Sequence, residues 1–391
     1  EMCIRDSIWG AEIGDAMAWF ETDIGQQRYR TALIGPSGEK MVLFANIMAD
    51  CSHAFGRCGL GAVMGSKNLK GVVVKGSQRP TAADNEQILA LNRIMKGRYK
   101  ATPFVPYGTG AAVDAFEAVG NLPVRNYSGG SFPNVEKISA VTLMEKYGMA
   151  MEGCFNCPIR CKKKINLTDA PWSLETIYGG PEYETLASFG SNQLIDDLPA
   201  ICKAHEICNR FGIDTISAGA TVAFAMECFE NGLLTPEDVG GLELNFGNAA
   251  AMLTLLEQIA LRRGFGDVLA RGSQKAAEII GQNSIDYAMQ VKGLEIPYHE
   301  PRLNQGLSIH YSIHAVGADH VTGLIDNVLV GQMDNWERID RAQELPPTEL
   351  SPRKTRMEYE LGLYRGLFNY LGICSFMPWN ITDLREAVEA V

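Results

Sequence analysis

Gly153-Cys154-Phe155-Asn156-Cys157-Pro158-Ile159-Arg160-Cys161-Lys162 is the stretch that decides how the rest of the chain is read. Its spacing is C-x2-C-x3-C. Two intervening residues let the chain loop back so that two sulfurs reach one inorganic centre, and the next three bring a further sulfur onto the same side. A [4Fe–4S] cube takes four thiolates. The fourth must come from elsewhere, and Cys374 is the candidate. Cys154, Cys157, Cys161 and Cys374 would then form one ligand set for single-electron transfer. The competing chemistry is zinc held by the trio and a distant Cys or His. Zinc sites more often show two separated C-x2-C pairs, and no second pair is present. On residues alone, Cys374 also reads as a buried thiol.

Beside the cysteines runs a basic stretch, Arg160 to Lys164. It reads either as a solvated charged face or as a positive collar that eases cluster reduction and draws an acidic electron carrier. The chain as a whole is acidic, with a formal net charge of −11 over 391 residues, which argues against nucleic-acid binding through a global basic surface. With 46% hydrophobic and 21% charged residues it has the composition of a globular protein with room for two or three domains. Its 10 cysteines are mostly scattered singly, unlike a secreted disulfide framework, so a reducing, cytoplasmic setting is expected. No run of about eighteen apolar residues announces a membrane span, and no signal peptide is evident. Glu1–Ser7 leads abruptly into Ile8-Trp9-Gly10, and Asp383–Val391 stops mid-helix by its pattern. Both ends are therefore expected to be those of a fragment, with the first seven residues foreign to the protein.

Upstream, Met41–Ile47 and Gly71–Lys75 read as strands and Gly35–Gly38 as a turn. The texture changes after Arg79-Pro80. Helical periodicity runs over 82–99, 111–119 and 139–147, then over 198–211, 217–231, 249–262 and 267–280. Asp267 and Thr235-Pro236-Glu237 signal helix starts, and Asn231-Gly232 and Arg263-Gly264 signal stops. Lys292–Arg302 reads as an irregular segment and a domain boundary.

The second informative stretch is glycine-rich: Gly56-Arg57-Cys58-Gly59-Leu60-Gly61-Ala62-Val63-Met64-Gly65-Ser66-Lys67. It has the wrong order for a P-loop. Gly59, Gly61 and Gly65 give G-x-G-x-x-x-G rather than the dinucleotide fingerprint, and the segment is expected to run into a strand. A structural glycine turn and an anion-binding backbone flanked by Arg57 and Lys67 are the two readings.

In this order, Gly56–Lys70, Gly153–Lys162, Gly180–Thr185, Phe211–Thr215, Gly264–Gly272 and Lys292–Arg302 resemble the tungsten-containing aldehyde:ferredoxin oxidoreductase family, over nearly the whole chain from Trp9 onward. The resemblance implies an α+β fold. Residues 1–78 would be the remainder of a pterin-binding β domain, 79–290 a helical domain with the cluster cysteines, and 291–391 a second, truncated helical domain. It implies tungsten (or molybdenum) held by two molybdopterins, a nearby [4Fe–4S] cluster, and Mg2+ bridging the pterin phosphates. Arg57, Cys58, Gly59 and Gly61 would join the cofactor site. The family's pterin motifs, of the form D-x-x-G-L-C/D, correspond to Asn209-Arg210-Phe211-Gly212-Ile213-Asp214 followed by Thr215, and to Asn369-Tyr370-Leu371-Gly372-Ile373-Cys374. Both carry Asn for Asp, so the negative charge is lost at 209 and 369 while hydrogen bonding remains. The second motif makes Cys374 the fourth cluster ligand.

The implied activity is oxidation of an aldehyde to a carboxylic acid, with electrons passed singly to ferredoxin or another iron–sulfur carrier. Partners in a homodimer or electron-transfer subunits go with it. Glu184, then Glu182, is the expected base, its pKa raised by burial; on a strand the two would share a face, whereas a turn would point one inward. His320 matches the family's active-site histidine. His310 and His314, at i, i+4 spacing, would share a face of a helix, which raises a transition-metal reading; the glutamate of an H-E-x-x-H site is absent, and both are read as pocket lining. The alternatives are a tungsten-dependent aromatic acyl-CoA reductase subunit, a noncatalytic iron–sulfur subunit, and a zinc-binding helical scaffold.

Overall fold

The valine run of Gly71–Val74 carries the β-branched side chains that suit a pleated surface, and it forms the edge of a four-stranded antiparallel sheet. The strands are β1 (Arg30–Leu33), β2 (Ile47–Ala49), β3 (His53–Phe55) and β4 (Gly71–Val74), in the order β3-β2-β1-β4. β1 and β4 pair from Arg30↔Val74 to Leu33↔Gly71. The computed structural model describes residues 8–24, 29–78, 81–101, 104–168, 171–323, 325–326 and 345–391; Glu1–Ser7 and Arg79-Pro80 lie outside them.

The strand expected over Met41–Ile47 is a correction. Only Ile47–Ala49 is strand. Val42, Phe44 and Ala45 are buried in an irregular segment whose polar groups pair across the fold. The Asn46 N–H donates to the Gly212 carbonyl and the Asp214 N–H to the Phe44 carbonyl, each at 3.0 Å. Buried backbone must be paired somewhere, and here the partner is the first N-x-x-G-I turn. The glycine-rich stretch is a second correction: it enters a helix, Leu60–Ser66, before reaching β4. The turn at Gly35–Gly38 opens a helical turn, Pro36–Glu39, with proline at its start.

The remainder is largely helical, so the chain is α+β as expected. Helix Leu198–Phe211 begins at Asp197, whose side chain accepts from the Ala200 N–H at 3.2 Å. Helix Thr215–Glu230 is buried from Ile216 to Cys228, the mark of a central helix rather than an amphipathic one. A Cβ on its Gly219 would stand 1.9 Å from Ser188 Oγ, so glycine lets helix Tyr183–Phe189 pack close. Helix Ala249–Leu261 packs on both long helices. One apolar core draws on residues from Val42 to Tyr298. A smaller one joins Ile13, Ala16, Leu33, Met48 and Tyr178.

Helices expected over 82–99 and 139–147 appear as Asn85–Arg98 and Ala140–Tyr147, capped by Asp84 and Ser139. The helix expected over 267–280 is instead two, Gly266–Leu269 and Ser273–Ile280, because Gly272 between them turns left-handed at φ +83°. No helix follows Thr235-Pro236-Glu237. The Asp238 carboxylate takes both the N–H and the hydroxyl of Thr235 at 2.8 Å, closing a local turn.

Two hairpins place the functional segments. β5 (Gly148–Glu152) and β6 (Lys162–Ile165) pair antiparallel, and residues 153–161, the cysteine stretch, form their connection. β7 (Gln290–Val291) and β8 (Leu294–Glu295) are joined by Lys292 and Gly293, at φ +56° and +83°, a tight left-handed turn. Beyond β8 the chain enters the core, with Tyr298 fully buried. Helix Pro352–Leu371 and helix Ile381–Ala390, the latter with a reciprocal Asn380/Asp383 cap, close the chain.

Candidate functional site

Glu184 stands in the first turn of helix Tyr183–Phe189, and Glu182 is the residue that precedes it as N-cap. This is neither the strand nor the simple turn expected, and the two carboxylates enter different surroundings. Glu184 Oε2 accepts from the Tyr298 N–H at 2.9 Å, and its Oε1 lies 3.1 Å from His299 Nε2 and 3.5 Å from His320 Nε2. Glu182 faces Lys163 Nζ at 3.2 Å and Lys162 Nζ at 3.8 Å, and it accepts from the Thr109 hydroxyl.

The raised carboxylate pKa expected from burial is not found in either residue. Burial alone would push Glu184 up, but His320, His299 and the Tyr298 N–H outweigh it and hold it at about 2. Burial likewise opposes ionisation of Glu182, and Lys163, Lys162 and Thr109 overcome it to about 2. Both are carboxylates at neutral pH. His320 is the neutral partner: burial lowers its pKa, against the raising effect of Glu184.

His299 is a site residue the sequence reading missed. Its ring is sandwiched between Tyr183, stacked at 4.9 Å, and the edge of Phe116 at 5.4 Å. Its tautomer follows from Asn121. The Glu300 N–H donates to Asn121 Oδ1 at 3.1 Å, and so does Asn304 Nδ2 at 2.7 Å, which fixes the amide orientation. Asn121 Nδ2 must then donate to His299 Nδ1, 3.2 Å away, leaving the ring proton on Nε2 toward Glu184. The only signal in sequence was a histidine inside Lys292–Arg302, a segment singled out for other reasons.

The cysteine connection is pinched where the hairpin legs meet: a Cβ on Gly153 would lie 2.8 Å from Arg160 Cα. The Cys157 N–H donates to the Cys154 carbonyl at 3.0 Å, and Asn156 and Arg160 turn left-handed. Cys374 lies in the turn after helix Pro352–Leu371. Its charge is felt at Cys161, and it feels those of Cys157 and Cys154. The tertiary fold thus brings the distant sulfur to the trio.

Both N-x-x-G-I segments are helix C-caps of one kind. Gly212 and Gly372 adopt φ +76° and +65°, and the Ile213 and Ile373 N–H groups donate to the carbonyls of Cys208 and Phe368 at 3.0 and 2.9 Å. The first is buried. Asn209 Nδ2 donates to the Tyr178 carbonyl at 2.9 Å, and Asp214 caps the next helix through the Ile216 and Ser217 N–H groups, with Thr215 meeting Thr185 by hydroxyls at 3.0 Å. The second is exposed, and Asn369 lines a cavity of about 530 Å3 with His310 and His314; no residue of the first segment is on that lining.

The glycine stretch packs against the protein's own backbone. A Cβ on Gly59, Gly61 or Gly65 would come within 2.2, 2.2 or 1.9 Å of the carbonyl oxygens of Leu43, Asn46 and Gly38. Arg57 spends its donors on the fold as well: Asp214 Oδ2 at 3.0 Å, and the carbonyls of Ala318 and Glu295 at 2.7 Å each. It clamps the helix start at 214, the hairpin β7–β8 and the loop that leads to His320. Neighbouring Cys58 is exposed as a residue, and partial desolvation of its thiol, with Asp319 and Asp214 nearby, raises its pKa against the pull of Arg57.

Comparison with known proteins matches residues 2–76 to the model of the aldehyde ferredoxin oxidoreductase N-terminal domain, and residues 89–391 to that of domains 2 and 3 of the same family. The tungsten-containing aldehyde ferredoxin oxidoreductase of Pyrococcus furiosus is 34% identical over 99% of this chain, and that of Thermococcus kodakarensis 33%. The chain spans 63% of the length of either relative. The WOR-like subunit of an aliphatic sulfonate oxidoreductase from Pyrococcus furiosus is 36% identical over 74% of this chain and 47% of its own. Among solved structures, the active site complex BamBC of benzoyl coenzyme A reductase with 1,5-dienoyl-CoA superposes with a TM-score of 0.75, covering 98% of this chain and 64% of that one. At 21% identity this speaks to the fold alone.

Proposed function

The chain belongs to the aldehyde ferredoxin oxidoreductase family, and on that premise we propose that it serves a tungstopterin oxidoreductase that converts aldehydes to carboxylic acids. Ferredoxin or a similar iron–sulfur carrier takes the electrons. Cytoplasmic residence goes with this reading; among the described residues no helix is long and apolar enough to cross a membrane. The division into 1–78, 79–290 and 291–391 is retained as the proposed domain plan, and Mg2+ between pterin phosphates as a proposed accessory ion.

The observation that carries the proposal is a pair of orphaned atoms. His320 Nδ1 is buried without a hydrogen-bond partner, and so is Asn46 Oδ1 beside Gly212. Buried polar groups nearly always have partners, so a polar group of cofactor or substrate fits there. Cys154, Cys157, Cys161 and Cys374 fit the iron cluster. Asn369, Gly372 and Ile373 present an exposed turn to a pterin, and Gly212, Ile213, Asp214 and Thr215 a buried one. Asn209 and Arg57 fit less well, since their donors already meet the protein.

When bound, the pterin-held tungsten supplies the two-electron acceptor and the four-iron cluster the one-electron exit. The protein handles the proton. Glu184, ionised, faces Nε2 of His320, so the proton of that ring belongs on Nε2 and the lone pair on Nδ1. Nδ1 of His320 accepts the proton that leaves as water adds to the carbonyl, and Glu184 stabilises the resulting imidazolium. His299, fixed by Asn121, holds Glu184 in place. Glu182 stands between the cluster loop and this site, its charge bound to Lys163.

The test is anaerobic purification after growth with tungstate. About one tungsten and about four iron atoms per chain are expected, with aldehyde-dependent reduction of a viologen dye. Iron without tungsten, or no aldehyde turnover from the loaded protein, overturns the reading. Replacing Glu184 with Gln should keep the tungsten, lower turnover by about 10²-fold or more, and move the rising limb of the pH–rate profile to lower pH, because His320 loses the charge that raised its pKa. Turnover unchanged from the parent would remove Glu184 from the mechanism.

A further inference from the structure

Away from Glu184, a second group of side chains converges. His310 lies in helix Gln305–Ile313, His314 is its C-cap residue, and Asp319 sits in the loop that leads to His320. One ligand atom from each lies within 4.8 Å of the other two. The two imidazoles stack with centroids 4.8 Å apart, as i, i+4 spacing on one helix face allows. Thr322 Oγ1 marks the centre of the group: it is 3.2 Å from His310 Nε2, 3.2 Å from His314 Nε2, and hydrogen-bonded to Asp319 Oδ2.

We propose that His310, His314 and Asp319 form a site for one divalent d-block cation of the zinc class, distinct from the iron-cluster cysteines and from Glu184. Two imidazoles and one carboxylate are the donor set that borderline metals favour. Three donors on one zinc stand about 3.4 Å apart, so side-chain rotations of about an ångström close the site. The surroundings support ligation. His310 Nδ1 lies 3.4 Å from Oε1 of Glu358, a buried carboxylate, which is the outer contact that orients a metal-bound imidazole. His314 Nδ1 is buried without a hydrogen-bond partner. His310, His314 and Thr322 open onto the cavity of about 530 Å3, which leaves room for a further ligand. The ion would pin the loop carrying His320 to helix Gln305–Ile313. None of its ligands is shared with Glu184 or the cluster cysteines, and Asn369 lines the same cavity.

The test measures metal on the folded protein after dialysis against Zn2+, and optical absorption after exchange with Co2+. One additional zinc per chain beyond iron and tungsten is expected, with the visible bands of a tetrahedral or five-coordinate cobalt site. His314→Gln and Asp319→Asn should each remove the bands and weaken zinc binding by at least about tenfold, with iron content unchanged. Asp319→Asn keeps the shape of the side chain, so it separates loss of a ligand from loss of fold, and circular dichroism checks the fold of both variants. No additional zinc, no cobalt bands, or bands that persist in both folded variants would overturn the site and leave a hydrogen-bonded cluster around Thr322.

Discussion

Burial opposes charge at both Glu184 and His205, and the two side chains answer it differently. Glu184 has two imidazoles and an N–H, so it remains ionised with a pKa of about 2. His205, in helix Leu198–Phe211, is buried with Lys162 nearby and is driven down to about 4, against an ordinary 6.5. Its Nε2 lies 3.1 Å from the Tyr178 carbonyl. The unfolded chain therefore binds a proton at His205 that the folded chain does not, between pH about 4 and 6.5. Stability rises with pH across that window and is lost on acidification, by an amount on the order of 3 kcal/mol. Glu182 and Glu184 act lower: their contribution is present above the ordinary carboxylate pKa of 4.5 and is lost as pH falls toward 2. Urea denaturation at pH 7 and pH 4.5 should show this loss in the parent and a smaller one in His205→Gln, which cannot titrate. Parallel losses in both proteins would show that His205 is not the source. Residues of this kind are hard to read in sequence. Glu184 was visible as a candidate, but the direction of its pKa depended on His299 and His320, which only the fold delivers.

Among elements, the two N-x-x-G-I segments are the instructive pair. Each is a left-handed glycine cap closed by an isoleucine N–H, and such a motif is legible in sequence because only glycine enters that conformation cheaply. What differs is the neighbour. Gly212 backs onto Gly35, whose N would lie 3.0 Å from a Cβ there, while Gly372 has nothing within 4 Å. The glycine-rich stretch teaches the same lesson from the other side. Its spacing suggested a ligand cradle or a turn, and helix Leu60–Ser66 needs the glycines to lie against the segment 38–46. Gly65→Ala, with Gly38 O in the way, should lower stability by about 1–3 kcal/mol. Gly97→Ala, in helix Asn85–Arg98 with open space around it, should raise stability by about 0.5–1 kcal/mol. Thermal unfolding of the two variants decides it, and similar shifts would contradict the packing account.

At the scale of the molecule, long-range joins assemble the candidate site. Arg57 draws the start of helix Thr215–Glu230, the carbonyl of Glu295 and the loop before His320 to one guanidinium. Cys374 comes to the hairpin cysteines from the end of helix Pro352–Leu371. On the proposed cluster reading, Cys374→Ala should abolish a four-iron EPR signal of the reduced, iron-loaded protein or convert it to a three-iron form, as Cys154→Ala should; an unchanged signal in both would refute the ligand assignment. The sequence by itself determined the α+β class, most helices and the cysteine trio, together with the family, because periodicity, glycine caps and C-x2-C-x3-C are local patterns that survive without a partner. Tertiary structure alone decided that Val42–Asn46 is not a strand, that His299 faces Glu184, and that both glutamates stay ionised. Those outcomes depend on which distant charges and backbone groups come within a few ångströms, and spacing along a chain carries no such distances.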